Sequence, residues 1–273
     1  MSKKKRPLPQ SLGLPPFGVD SHAHLDLPEF AEDLPEVLDR ARQSGLRHIG
    51  NVFLGPQAYL AGKDRLGAEK DLFFLLGIHP GDSGGSTEDE VGQMADFFSR
   101  DARLRAIGEI GLDYYRDHSA VGIQKRFFQL QLELARTLDR PVVIHCRDAF
   151  ADTLAILDDL GFADRPLLWH CFTEDRQCLA AVLQRGWQVS FPGPVSYKKN
   201  EALREAALGC PVERILLETD APFLAPEPWR GKRNEPAFTV FTAQTVAELK
   251  NIPVQSLWQQ CGDNARAFFG LEN

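Results

Sequence analysis

Six side chains carry most of the chemistry this sequence offers: His22, His24, Glu109, His145, His170 and Asp220. His22 and His24 stand two apart in Asp-Ser-His-Ala-His, a stretch that reads as extended. Side chains alternate faces along a strand, so the two imidazoles point the same way. Glu109, His145 and His170 come late in three separate apolar runs, and Asp220 directly follows a fourth. One histidine in a strand is ordinarily a packed residue, and a His-x-His pair by itself is weak. The conjunction is stronger, because buried imidazoles and carboxylates need partners. Nitrogen and carboxylate donors in this mixture suit Zn, Mn, Fe or Ni, and fewer nitrogens would suit Mg. Six donors exceed what one tetrahedral ion takes. Two divalent ions sharing a carboxylate use them better, with Glu109 as the natural bridge.

These donors converge only if the elements beneath them are arranged to do so. Short apolar runs predict strands over 18–25, 46–53, 71–78, 104–110, 141–146, 166–172, 187–191 and 214–219. Helical patterns lie between them. Leu34, Val37, Leu38 and Ala41 form one stripe, ended by Gly45. Ile123, Phe127, Leu130, Leu134 and Leu138 form another, with spacings of three and four. Further helices are expected after Pro236 and Pro253. Strand–helix alternation implies a parallel sheet covered by helices. Eight units imply closure into a single-domain (β/α)8 TIM barrel, whose chemistry sits at the C-terminal ends of the strands. All six donors are expected at that mouth. An open doubly wound sheet usually carries a Gly-rich phosphate loop after its first strand, where this chain has its histidine pair. Residues 1–17, basic at Lys3 to Arg6 and then Pro-rich, read as a loosely attached tail, with the barrel over 18–273. Gly81 to Glu90 reads as a flexible loop.

A length of 273 residues, 43% hydrophobic and 25% charged, fits one such barrel. Lys plus Arg number 31 against 38 Asp plus Glu, a net charge of -7. That balance disfavours coating nucleic acid by bulk charge, though not local binding through metals and a basic patch. No run reaches the ~18 apolar residues of a membrane span, and the basic start lacks the apolar stretch of a signal peptide. Five cysteines without a Cys-x-x-Cys point to a reducing, cytoplasmic setting. Cys146 and Cys171 each follow a proposed ligand, and alternation would turn them toward the helix layer as small core residues. His48 reads as structural and His118 as solvated. His79 ends the third strand in Gly-Ile-His-Pro, on the same rim, where it either meets a substrate phosphate or an activated water or fixes the loop.

The sequence resembles the TatD-type deoxyribonucleases of the metal-dependent hydrolase superfamily. The matching text is Asp20 to Leu25, Gly77 to Pro80, Gly108 to Tyr115, Pro141 to Asp148, His170 to Phe172, Glu218 to Pro222, and Asn264 to Arg266. It runs in order over about residues 18 to 271. The resemblance implies two divalent ions, Mg, Mn or Zn. It places His22, His24 and Asp220 on one ion, His145 and His170 on the other, and Glu109 between them. It also implies 3'-5' exonuclease action on single-stranded DNA. In the mechanism expected of such a site, Asp220 accepts the proton of the attacking water. Arg147 and Arg233, with Arg230 and Lys232, are candidates to hold phosphate through planar two-pronged hydrogen bonding. Trp229, Tyr114 and Tyr115 are candidates to stack on unpaired bases. A monomer is expected. Two other readings stay open: a D-aminoacyl-tRNA deacylase or related ester or amide hydrolase, and a non-enzymatic metal-loaded subunit that binds nucleic acid or a partner, aided by the basic tail.

Overall fold

Apolar β-rich runs alternate with amphipathic stretches along the whole chain, and the structure converts each pair into a strand and a helix. A computed structural model describes residues 6–116 and 118–272. Among them are eight strands: β1 (Gly18–Ala23), β2 (Leu46–Leu54), β3 (Leu72–Gly77), β4 (Leu104–Asp113), β5 (Val142–Arg147), β6 (Leu167–Trp169), β7 (Gln188–Phe191) and β8 (Ile215–Leu217). Each neighbouring pair in sequence runs parallel, in the order β1 to β8. The α-helices between and after them are α1 (Leu34–Gln43), α2 (Pro56–Leu66), α3 (Glu88–Arg100), α4 (Val121–Thr137), α5 (Phe150–Asp159), α6 (Arg176–Gln184), α7 (Glu201–Gly209), α8 (Thr239–Lys250) and α9 (Val254–Phe269). This is the expected single-domain TIM barrel. Among the described residues no helix is long and apolar enough to cross a membrane.

The seam between β1 and β8 closes through side chains as much as backbone. The buried Asp20 carboxylate accepts from the Thr219 amide at 2.9 Å and the Thr219 hydroxyl at 2.6 Å. Ser21 donates to the Leu217 carbonyl at 3.0 Å. The amides of Asp220 and His24 then cross the seam to the carbonyls of His22 and Ala221, at 2.9 and 2.8 Å. The side chains that seal the barrel are thus neighbours of the histidine pair. At the opposite end, α9 lays Ala265, Phe268 and Phe269 against Val19, Phe73 and Leu216.

Four local expectations need correction. The strand expected over 104–110 runs on to Asp113, so Glu109 lies within β4 and not at its end. A register shift between Ile107 and Ile110 accommodates it. The stripe proposed for α4 is rotated: Ile123 is 41% exposed, while Gln124 and Gln131 are buried. Gln131 exchanges hydrogen bonds with the Ile78 amide and carbonyl, and Gln124 with those of Asp113. Both glutamines therefore hold strand ends that carry site residues. The segment Gly81 to Glu90 is structured: Ser119 accepts from the Gly84 amide, and Thr87 with Glu90 forms a capping box that starts α3. Residues 6–17 are not loosely attached. Leu14 is buried, Trp258 donates to the Pro15 carbonyl at 2.9 Å, and Trp229 donates to the Pro7 carbonyl at 3.1 Å. Lys3, Lys4 and Lys5 lie outside the described residues.

Candidate metal centre

Glu109 stands at the centre of the barrel mouth, and its two oxygens face different histidines. Oε1 lies 3.8 Å from His22 Nε2 and 3.6 Å from His24 Nε2. Oε2 lies 3.1 Å from His145 Nδ1 and 2.8 Å from His170 Nε2. Asp220 joins the first group, its Oδ1 3.4 Å from His24 Nε2 and 3.9 Å from His22 Nε2. The rings of His22 and His170, one from each group, stack 3.9 Å apart. All six expected donors are brought together.

Three of the four imidazoles are aimed by a contact at their other nitrogen. His24 Nδ1 lies 3.1 Å from the Val52 carbonyl. His145 Nε2 lies 3.0 Å from Asp113 Oδ2, and His170 Nδ1 lies 3.4 Å from Glu218 Oε2. Glu218 is itself fixed by the Ser190 hydroxyl at 2.6 Å. Such outer acceptors set the tautomer and orientation of ligating histidines. Asp113 and Glu218 were not singled out from the sequence. Their signal was there: each is an acid in a matching segment, at or just past the end of an apolar strand. The contact that gives them a role is made across strands and leaves no local spacing.

The electrostatics are those of a cluster of donors pressed together. Burial disfavours a charge on His24, but the Asp220 and Glu109 carboxylates outweigh it and lift the imidazole to about 9. Burial would likewise raise Glu109, yet His170, His145 and His22 hold it well below the usual carboxylate range. Asp220 is lowered in the same way, against its burial, by His24. His22 goes down, through burial and the nearby His170. His22 is fully buried, and neither of its ring nitrogens has a hydrogen-bond partner. Buried polar atoms are rarely left so. A neutral, unpartnered imidazole beside an ionised carboxylate fits a cation ligand. Donor atoms of His22, His24 and Glu109, and those of Glu109, His145 and His170, lie within 4.8 Å of one another. The residues present therefore fit divalent metal binding.

The model of the TatD related DNase family matches residues 19–270. The chain belongs to this family. YcfH of Escherichia coli K12, described as an uncharacterized metal-dependent hydrolase, is 36% identical over 261 residues, covering 94% of this chain and 97% of YcfH. TatD of Pantoea ananatis, described as a 3'-5' ssDNA/RNA exonuclease, is 35% identical over 260 residues, covering 92% of this chain and 99% of its own. The crystal structure of the TatD homolog YjjV from E. coli K12 superposes with a TM-score of 0.88 at 26% identity, covering 94% and 99% of the two chains. The metal-dependent hydrolase character of TatD relatives agrees with the donor set described above.

The remaining candidates divide around this TatD-type centre. Of the two roles expected of His79 as alternatives, the structure shows the loop-fixing one. Its Nδ1 accepts from the Gly81 amide at 3.0 Å, which fixes the loop and leaves the proton on Nε2. Its ring meets that of His145 edge-on at 4.4 Å. Burial and the adjacent His145 push it down to about 4, so it is a neutral donor at pH 7. Arg147 is exposed, its guanidinium 3.6 Å over the Tyr115 ring. Arg233, expected to hold phosphate, has its fork filled by Asp33 at 2.8 and 2.6 Å, a partner 200 residues away in sequence. Trp229 stacks on Phe238 at 4.8 Å, and the Tyr114 hydroxyl donates to Asp152 at 2.7 Å, so packing occupies both aromatics. Cys146 is buried in the core as expected. Cys171 departs from the alternation argument, because β6 stops at Trp169 and Cys171 has a left-handed backbone, φ 47°. Burial, together with the charges of Asp220, Glu218 and Glu109, holds its thiol well above the usual range. His48 contacts the Glu272 carbonyl at 3.2 Å, and His118 is exposed.

Proposed function

We propose that this chain is a two-ion hydrolase that removes nucleotides from the 3' end of single-stranded DNA. The observation that carries the reading is the division of Glu109, with Oε1 toward His22 and His24 and Oε2 toward His145 and His170. One carboxylate serving two donor groups suits a pair of Mg, Mn or Zn ions. When bound, such ions supply Lewis acidity, lowering the pKa of a water toward ~7 and drawing charge from a phosphoryl oxygen. The nucleic-acid substrate and its polarity are supported by the description of the Pantoea ananatis relative.

The chain's own residues then have distinct tasks. His22, His24 and Asp220 would hold one ion with Glu109, and His145 and His170 would hold the other. Asp220 stays ionised through its contact with His24 and is partly open to the mouth, so its carboxylate can take the proton of the attacking water. His79, neutral with its proton on Nε2, donates to a phosphate oxygen. Arg147 supplies a fixed positive fork for the neighbouring phosphate.

The test is turnover of 3'-labelled and 5'-labelled single-stranded DNA beside D-aminoacyl-tRNA. Metal-stripped protein is reconstituted separately with Mg, Mn and Zn, and Glu109→Ala is the control. Mononucleotide release from the 3' end that disappears in the variant supports the reading. Deacylation without phosphodiester cleavage moves the function to an ester hydrolase. Two bound ions with activity on neither substrate favours a binding subunit.

A further inference from the structure

Two large aromatic side chains at the mouth are exposed although their backbones are fixed. Phe223 is 50% exposed and Tyr115 is 62% exposed. The Phe223 amide donates to the Asp220 carbonyl at 2.9 Å, and its carbonyl accepts from the buried Asn234 at 2.7 Å. Its ring lies edge-on to His24, centroids 6.3 Å apart. The Tyr115 amide donates to Asp113 Oδ1 at 3.0 Å, the same carboxylate that orients His145. Arg147 covers one face of Tyr115, and no carboxylate among the described residues pairs with it. Each histidine group therefore has its own rigidly mounted, solvent-facing aromatic. Trp229 and Tyr114, by contrast, are consumed by packing. An aromatic face held in water beside a catalytic centre costs hydrophobic free energy unless a flat ligand covers it.

We propose that Phe223 and the Tyr115–Arg147 pair form the subsite that selects unpaired nucleobases. Phe223 stacks on the base of the nucleotide being removed, beside His22, His24 and Asp220. Arg147, held flat by Tyr115, takes the neighbouring phosphate on the His145 side. A base inside a duplex has both faces covered already, so only a frayed or single-stranded end fits. Stacking reads a ring and not an edge, so all four bases are accepted. This inference rests on the nuclease reading and adds what confers single-strand preference.

The experiment uses the Mn-loaded full chain. KM and kcat are measured for wild type, Phe223→Ala, Phe223→Trp and Tyr115→Ala. The substrates are a single-stranded oligonucleotide and the same oligonucleotide with abasic sites at its 3' end. Leu208→Ala, which trims an apolar side chain 54% exposed on α7, is the surface control and should match wild type. Phe223→Ala should raise KM about 5- to 150-fold, the range set by base–aromatic stacking, with kcat within about twofold. Phe223→Trp should restore KM. Abasic ends should bring wild type to the KM of Phe223→Ala. Equal KM for wild type and Phe223→Ala on the normal oligonucleotide overturns the proposal, as does an undiminished difference on the abasic one. Mn content of each variant separates loss of the ion from loss of stacking. A wild type that neither binds nor cleaves any oligonucleotide removes the nuclease reading itself, whereas cleavage without base dependence removes only the stacking subsite.

Discussion

Asp113 Oδ2 lies 3.0 Å from His145 Nε2, while Nδ1 of the same ring faces Glu109 at 3.1 Å. One imidazole is thus held between two carboxylates, Asp113 on the outside and Glu109 at the centre of the mouth. Burial opposes ionisation of Asp113, but the His145 contact brings it down to about 2. Asp113→Ala should weaken Mn affinity ~10–100-fold, the usual effect of removing an outer acceptor. Calorimetric titration of the stripped variant measures it. Unchanged affinity would mean that Asp113 shapes only the loop.

Glu218 makes the equivalent contact to His170 from the end of β8. It is fully buried, and Ser190 donates to it. Glu218→Gln keeps the volume and removes the charge, so affinity should drop ~10-fold or more at the His145–His170 side. A loss of one equivalent of metal before the other would show that the two ions are held separately.

Glu109→Ala removes the carboxylate whose two oxygens serve the two groups. Metal content by mass spectrometry should fall for both ions, and turnover should fall with it by several orders of magnitude. Retention of two ions would sink the bridging assignment. Asp220→Asn, in contrast, should lower kcat ~10²–10⁴-fold, as loss of a general base does, with a smaller loss of metal. Rates equal to wild type would refute its role as proton acceptor.

Metal uptake should depend on pH with a definite sign. His24 in the metal-free protein is raised from its ordinary value to about 9. Below that value a cation must displace a proton from the ring, so apparent affinity rises with pH from neutrality to about 9 and then flattens with respect to this group. Proton release on Mn binding, measured by calorimetry in buffers of different ionisation enthalpy, should shrink across the same window.

Deleting residues 1–17 should destabilise the barrel. It removes the buried Leu14, the bond from Trp258 to Pro15, and the contact of Arg266 with the Phe17 carbonyl at 3.0 Å. Leu14 contributes about 1.5–3 kcal/mol and each hydrogen bond about 1 kcal/mol, so a loss of several degrees in Tm is expected. A tail that only bound nucleic acid would leave Tm unchanged.

The donors were legible in the sequence because strand geometry makes them so. Alternation alone aligns His22 with His24, and the ends of apolar runs mark His145, His170 and Asp220. What stayed hidden depends on contacts between distant segments. Arg233 reads as a phosphate ligand until Asp33 is seen to fill its fork. Gln124 and Gln131 break the apolar stripe of α4 because they serve the strand ends, which no helical periodicity encodes. Phe223 is a loop residue in sequence, and only its exposure beside His24 distinguishes it.

The two ends of the chain meet at β1. Gly18 packs so tightly on Trp258 that a methyl group there would overlap the indole, and Gly262 approaches the Phe17 carbonyl as closely. During synthesis, therefore, the first strand lacks its outer cover until α9 leaves the ribosome. The nascent barrel remains an open sheet with an unsealed edge for most of translation. Closure is a late, long-range event of the kind that slows folding and leaves intermediates open to aggregation. A prematurely terminated product lacking α9 would present the inner faces of Val19, Phe73 and Leu216 to solvent and become a substrate for chaperones or proteolysis.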